Sequence, residues 1–159
     1  MSDQVSLIVF DFDGVLTDNR VWVSQDGIES ICCNRSDGLG FDMLRDAGIP
    51  SVILSTETNP VVRQRGIKLQ IRVIQGVKDK GAEITKLFKE YSLSPTNVAY
   101  VGNDLNDISA LLKVGHKWCP SDAAKEVREM CTHVFNSTGG AGVVREIADF
   151  LGLKWGEQT

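Results

Sequence analysis

No stretch of this 159-residue chain supplies the roughly 20 consecutive apolar residues that cross a bilayer. The polar start and single short apolar run are too brief for a secretory leader. A cytoplasmic protein without a membrane partner is expected. Basic excess is also missing: 17 Lys and Arg face 21 Asp and Glu, a net charge of −4. That balance excludes the broad basic footprint of a nucleic-acid binder, while leaving room for a local basic pocket. Cys32, Cys33, Cys119 and Cys131 form no CxxC pair and read as small buried residues in a reducing cytosol. Internal repeats, low-complexity segments and linkers are absent too, so one compact domain over residues 1–159 is expected.

What is present is alternation. Val5–Phe10 (VSLIVF) is an apolar, β-branched run of the kind buried on both faces of a sheet. Val21–Val23 and Ile28–Ile31 flank Asp26-Gly27 and predict a small β-hairpin. Apolar residues recur at helical spacing over Asp37–Ala47, with Asp37 as cap and Gly48 as terminator. Ser51–Leu54, Ile71–Ile74 and Val98–Val101 read as strands, with weaker ones near Trp118 and at His133–Phe135. Helices are expected from Pro60, over Gly81–Tyr91, Ile108–Val114 and Val143–Leu151, and near Ala123–Met130. Strand–helix alternation implies an α/β fold: a Rossmann-like, doubly wound parallel sheet with a small hairpin insertion after the first strand. No insertion is long enough for a separate cap domain.

Open parallel sheets bind ligands beyond the carboxyl ends of their strands. Asp11 and Asp13 follow the first strand, and Ser55 and Thr56 the second. Lys78 and Lys80 come after the short third, and Asn103, Asp104 and Asp107 after VAYV. Carboxylates, hydroxyls and a lysine on one edge are the equipment of phosphoryl transfer with a hard divalent cation. One Asp at a strand end is ordinarily a turn former or cap; the ordered set across four strand ends argues against that plainer reading. Lys78 reads as solvated surface, His116 and His133 as structural, and Trp22, Trp118 and Trp155 as packing or interface residues.

The segment Asp11-Phe12-Asp13-Gly14-Val15-Leu16-Thr17-Asp18 resembles motif I of the haloacid dehalogenase superfamily phosphatases. Ser55, Lys80 and Gly102-Asn103-Asp104-Leu105-Asn106-Asp107 resemble motifs II, III and IV in order. The hairpin, Ser36-Asp37-Gly38-Leu39-Gly40 and Gly139–Glu146 resemble one branch, the phosphatases of 3-deoxy-octulosonate 8-phosphate and of nonulosonate 9-phosphates of the sialic-acid and KDN type. The resemblance implies Asp11 as nucleophile, forming an aspartyl-phosphate, and Asp13 as general acid and base. It implies Mg2+ on Asp11, the Asp13 carbonyl and motif IV side chains drawn from Asn103, Asp104 and Asp107. Ser55, Thr56 and Lys80 would hold the phosphoryl oxygens, and Thr17, Ser36, Asp37, Glu57, Arg63 and Lys68 would meet the substrate. One departure stands out: the family usually has GDD at motif IV, and this chain has Asn103 at the first Asp. Either Asn103 ligates more weakly, or Asp104 and Asp107 take a larger share.

The branch roofs its open site by forming tetramers, so a homotetramer is implied, with the hairpin and a neighbouring subunit covering each site. The plainer reading of Trp22 is packing within its own subunit. Octulosonate phosphatases typically carry Arg where this chain has Glu57 and Ser36, and Glu57 with Lys68 resembles the nonulosonate enzymes. The nine-carbon sugar acid phosphate is therefore expected, with the octulosonate as alternative. Some domains of this branch serve as non-catalytic assembly modules of sugar-acid cytidylyltransferases, so association with such a partner is also implied. The paired Asp11 and Asp13 argue for activity. A phospho-receiver domain would place its acceptor at a later strand.

Overall fold

The computed structural model describes residues 4–156. The elements run β1 (Leu7–Phe10), β2 (Trp22–Val23), β3 (Glu29–Ser30), α1 (Arg35–Asp46), β4 (Ser51–Leu54), α2 (Pro60–Leu69), β5 (Arg72–Ile74) and α3 (Lys80–Glu90). They continue with β6 (Val98–Val101), α4 (Ile108–Leu111), β7 (His116–Cys119), α5 (Lys125–Met130), β8 (His133–Val134) and α6 (Val143–Phe150). Six strands form one parallel sheet in the order β5-β4-β1-β6-β7-β8. The chain starts in the middle, winds out to β5, then crosses back over β1 to β6. That reversal puts β1, and whatever follows it, at the switch point where such sheets bind ligands.

β1 is fully buried, and its side chains alternate between two cores. Ile8 and Phe10 pack with Phe41, Leu44, Val62 and Ile147 beneath α1, α2 and α6. Leu7 and Val9 pack with Ile84, Leu87, Ala110 and Val127 beneath α3, α4 and α5. Helices therefore cover both faces of a continuous apolar strand, as the sequence pattern predicts. None of the helices is long and apolar enough to cross a membrane among the described residues.

Several boundaries differ from those read in the sequence, each for a local reason. Asn34, not Asp37, caps α1: its side chain accepts from the Ser36 amide at 2.9 Å. The cap falls there because a bridge between Thr17 and Cys33 ends the extended chain just before it. The helix expected over Ile108–Val114 ends at Leu111 and is preceded by a 3₁₀ turn over Leu105–Asp107. The hairpin forms around Gly27, whose φ of 78° needs glycine, but only Trp22–Val23 and Glu29–Ser30 pair. It stands outside the main sheet and leaves Trp22 74 % exposed.

Candidate active site

The segments that follow β1, β4, β5 and β6 carry the polar residues of the carboxyl edge. The Asp11 amide donates to the Val101 carbonyl at 2.9 Å, so the first residue past β1 is still held by β6. Ser55 is fixed past β4 by its own amide on the Ile74 carbonyl and by accepting from Val77 on its carbonyl. Lys80 opens α3 behind the Asp79 cap. Asn103 follows β6, with its amide held by Asp107 Oδ2 at 2.9 Å. Together Asp11, Asp13, Asn19, Ser55, Thr56, Asn103, Asp104 and Asn106 line a cleft of about 100 Å³, room for little more than a phosphoryl group.

Two glycines let the backbones approach this closely. A β-carbon on Gly14 (φ 82°) would stand 1.9 Å from the Asn103 carboxamide, and one on Gly139 would stand 2.0 Å from the Gly14 carbonyl. The Gly139–Gly140 stretch therefore lies flat against the Gly14–Asp18 turn, and Gly140 donates to the Val15 carbonyl at 3.0 Å.

Behind the cleft lies a buried charge cluster. Lys80 Nζ donates to Asp11 Oδ1 and to Asp107 Oδ1, both at 2.7 Å, and all three side chains are sequestered from solvent. Tyr100 donates its hydroxyl to Asp107 Oδ1 at 2.5 Å, and the amides of Asn103 and Asp104 donate to Asp107 Oδ2. Burial, and next the Asp107 carboxylate, push Asp11 upward against the pull of Lys80. Burial works to lower Lys80, but Asp11 and Asp107 together outweigh it and its net shift is upward. Asp13 is raised by burial and by Glu57, with Glu29 adding to the effect and Lys80 opposing it. A half-buried carboxyl displaced in that direction is suited to carrying a proton.

Among the described residues no three His, Cys, Asp or Glu side chains converge as a metal cage. The oxygens that do converge are of mixed kind. In one orientation the Asn103 amide nitrogen donates to the Asp13 carbonyl at 3.0 Å and to Asp11 Oδ2 at 2.9 Å. In the other, the carboxamide oxygen takes that place, and three oxygens face one another with no proton between them. A hard divalent cation, which prefers oxygen ligands, resolves that contact. Asp11, the Asp13 carbonyl and Asn103 therefore fit such an ion. The carboxylate of Asp104 accepts from the Leu105 amide at the rim of the cleft. Asp107 has its oxygens engaged by Lys80, Tyr100 and two amides, and it does not line the cleft.

The remaining residues proposed from sequence fall in different places. Thr17 is buried, with its hydroxyl accepting from the Gly14 and Asn19 amides. Ser36 donates to Asn34 Oδ1 at 2.6 Å. Asp37 is buried and caps α6 by accepting from the Val144 amide at 3.1 Å. The structure brings none of these three to the cleft. Arg63 is exposed on α2, and Lys68 lines a separate groove of about 500 Å³ with Arg35 and Arg65. Glu57 lines a cavity that adjoins the cleft, together with Glu29 and Asn59. The sequence reading missed Asn19, Asn106, Glu29 and Tyr100. Asn106 lay inside the segment resembling motif IV but was given no role, and Asn19 is an Asn suited to the left-handed backbone (φ 68°) it adopts.

A family model for haloacid dehalogenase-like hydrolases matches residues 58–147. A 3-deoxy-D-manno-octulosonate 8-phosphate phosphatase of Haemophilus influenzae is 31 % identical over 150 residues, 94 % of this chain and 83 % of that one. The cobalt-bound structure of the deoxy-D-mannose-octulosonate 8-phosphate phosphatase from Haemophilus influenzae aligns with a TM-score of 0.88 at 31 % identity, over 94 % of this chain and 88 % of that chain. The Moraxella catarrhalis octulosonate 8-phosphate phosphatase, solved with magnesium, phosphate and KDO, aligns with a TM-score of 0.88 at 29 % identity, over 92 % and 85 %. The chain belongs to the haloacid dehalogenase-like hydrolases. Within them it is a phosphatase, of the branch that holds these octulosonate-phosphate enzymes.

Proposed function

We propose that this phosphatase is a magnesium-dependent phosphomonoesterase that uses Asp11 as nucleophile on a 2-keto-3-deoxy sugar acid phosphate. The observation that carries the reading is the convergence of Asp11, Asp13, Ser55 and Asn103 on one small cleft, with Lys80 buried against Asp11. The Asp11 carboxylate attacks phosphorus as the ester P–O bond breaks, and the Asp13 carboxyl gives its proton to the departing sugar oxygen. Asp13, now a carboxylate, takes a proton from water as that water attacks the aspartyl-phosphate, which frees phosphate and restores Asp11. Ser55 and Thr56, which line the cleft past β4, donate to phosphoryl oxygens, and Lys80 holds Asp11 in position. Magnesium, when bound by Asp11, the Asp13 carbonyl and Asn103, would neutralise charge between the two anions.

The sugar is proposed to be a nonulosonate 9-phosphate, because Glu57 and Ser36 stand where octulosonate phosphatases typically carry Arg. The second reading, octulosonate 8-phosphate, is favoured by the activity for which the relatives are named. Phosphate release from the two esters, with Mg2+ and with Asp11→Asn as control, decides between them. Preference for the nine-carbon ester, abolished in Asp11→Asn, supports the first reading; preference for the eight-carbon ester supports the second. No release from either sugar ester, by folded protein that also leaves p-nitrophenyl phosphate intact, would sink the catalytic reading and favour the assembly-module role. We further propose a homotetramer in which the exposed hairpin helps to roof a neighbour's site.

A further inference from the structure

The catalytic cleft of about 100 Å³ leaves no space for a leaving group. The space is next door, in a cavity of about 300 Å³ that shares Asp13 and Asn19 with the cleft. Its other walls are Val21, Glu29 and Ile31 from the hairpin side, and Glu57, Asn59 and Val61 from the start of α2. Among the described residues no Lys or Arg lines it. Whatever part of the substrate adjoins the phosphoester must therefore sit between carboxylates.

The hydrogen bonds show what these carboxylates still want. Glu57 Oε1 accepts from the Thr58 and Asn59 amides at 2.8 and 2.9 Å, which pins that side chain to its own loop. Glu29 Oε2 accepts from Asn59 Nδ2 at 3.2 Å, which ties the hairpin to the same loop. The second oxygen of each carboxylate accepts from none of the described residues. Both side chains line the cavity together with Asp13.

We infer that Glu29 is a specificity-determining residue of the phosphatase reaction, accepting hydrogen bonds from hydroxyls on the carbons next to the phosphoester. The inference rests on the catalytic reading of Asp11 and Asp13 given above. It deepens that reading by setting an orientation: the polyol arm enters between Glu29 and Glu57, and the acidic end of the sugar points away from both. An anionic group in this cavity would meet two carboxylates without a counter-charge, whereas hydroxyl donors complete their free acceptor positions.

The test compares esters with and without such hydroxyls: octulosonate 8-phosphate and nonulosonate 9-phosphate against p-nitrophenyl phosphate, each with Mg2+. For Glu29→Ala, the ratio of kcat/KM for the better sugar ester over that for the aryl ester should fall at least about tenfold, mostly through KM. That is the scale expected for losing a hydrogen bond to a charged acceptor. Glu29→Gln, which keeps the shape and one acceptor, should fall less. An unchanged ratio in both variants would overturn the inference, as would wild-type protein that cleaves the aryl ester and neither sugar ester. Wild-type protein that cleaves none of the three would overturn the catalytic reading itself, and this inference with it.

Discussion

The Nζ of Lys80 lies 2.7 Å from Asp11 Oδ1 and, on its other side, 2.7 Å from Asp107 Oδ1, with no solvent at any of the three side chains beyond a sliver at Asp11. One ammonium thus holds two buried carboxylates, so the lysine links the nucleophile to the scaffold.

Removing that ammonium should damage folding as well as turnover. Lys80→Met strands two carboxylates in a buried site, which costs about 3–5 kcal/mol. Adding Asp107→Asn removes one of those charges and should restore part of the loss, although Asp107→Asn alone is destabilising. Urea unfolding of the two single variants and the double variant reads this coupling directly. Additive losses would show that Lys80 and Asp107 do not act as a unit.

Asn103 sets a second prediction. Its amide can donate to Asp11 Oδ2 and the Asp13 carbonyl, standing in for the cation's charge when no cation is there. Asn103→Asp replaces that donor with a third acceptor beside Asp11. The metal-free variant should be less stable than wild type by about 1–3 kcal/mol, and it should bind Mg2+ at least about tenfold more tightly. Calorimetric Mg2+ titration and thermal unfolding with and without the ion check both halves without any turnover assay. Equal affinity in the two proteins would remove Asn103 from the ion's surroundings.

Asp37 predicts a pH dependence. Burial pushes its carboxyl from 3.8 up to about 6, against the Val144 amide and Arg65, which pull it down. Its Oδ2 has no hydrogen-bond partner among the described residues. Because the folded value lies above the unfolded one, the fold favours the protonated form. Its contribution to stability is complete below about pH 4 and is lost as pH rises through about 6. The displacement corresponds to about 3 kcal/mol at most. Asp37→Asn keeps an oxygen for Val144 and does not titrate, so its stability relative to wild type should improve between pH 4.5 and pH 8. A parallel pair of stability–pH curves would contradict this.

How far these features could be read beforehand depends on whether they are local. The bounds of β4 and β6, and the start of α2 at Pro60, follow from uninterrupted apolar runs and from proline at a first helical turn. With β1, those strands place Asp11, Ser55 and Asn103 on one edge, so the position of the cleft was legible. Tyr100 was not: within an apolar VAYV run its ring reads as core, and its hydroxyl gains meaning only through Asp107. Asp37 looked like a helix cap and is one, but for α6, 107 positions away, rather than for its own helix. Glu29 and Glu57 come together only because Asn59 ties the hairpin to α2, a contact no periodicity reveals. Lys68 pairs with Arg35 and Arg65 in lining a groove of its own, which sequence spacing from Glu57 does not disclose.

The hairpin supplies the last prediction. Trp22 is 74 % exposed, Ile28 67 %, Val23 62 % and Val21 49 %, so packing of Trp22 within its own subunit does not account for it. Four large apolar side chains exposed on one short ribbon are apolar surface of the kind that marks an interaction site. A hairpin with only two paired residues per strand gains little stability alone, so a neighbouring copy that buries the patch would also fix Glu29 over the cleft. Sedimentation of the wild-type protein at micromolar concentration should give a tetramer. Trp22→Ser should shift it toward smaller species and, through the loosened hairpin, lower kcat/KM for the sugar ester more than for p-nitrophenyl phosphate. A wild-type monomer would defeat the tetramer proposal and leave the hairpin to cover the site of its own chain. A Trp22→Ser tetramer with undiminished sugar selectivity would show that the assembly relies on other surfaces.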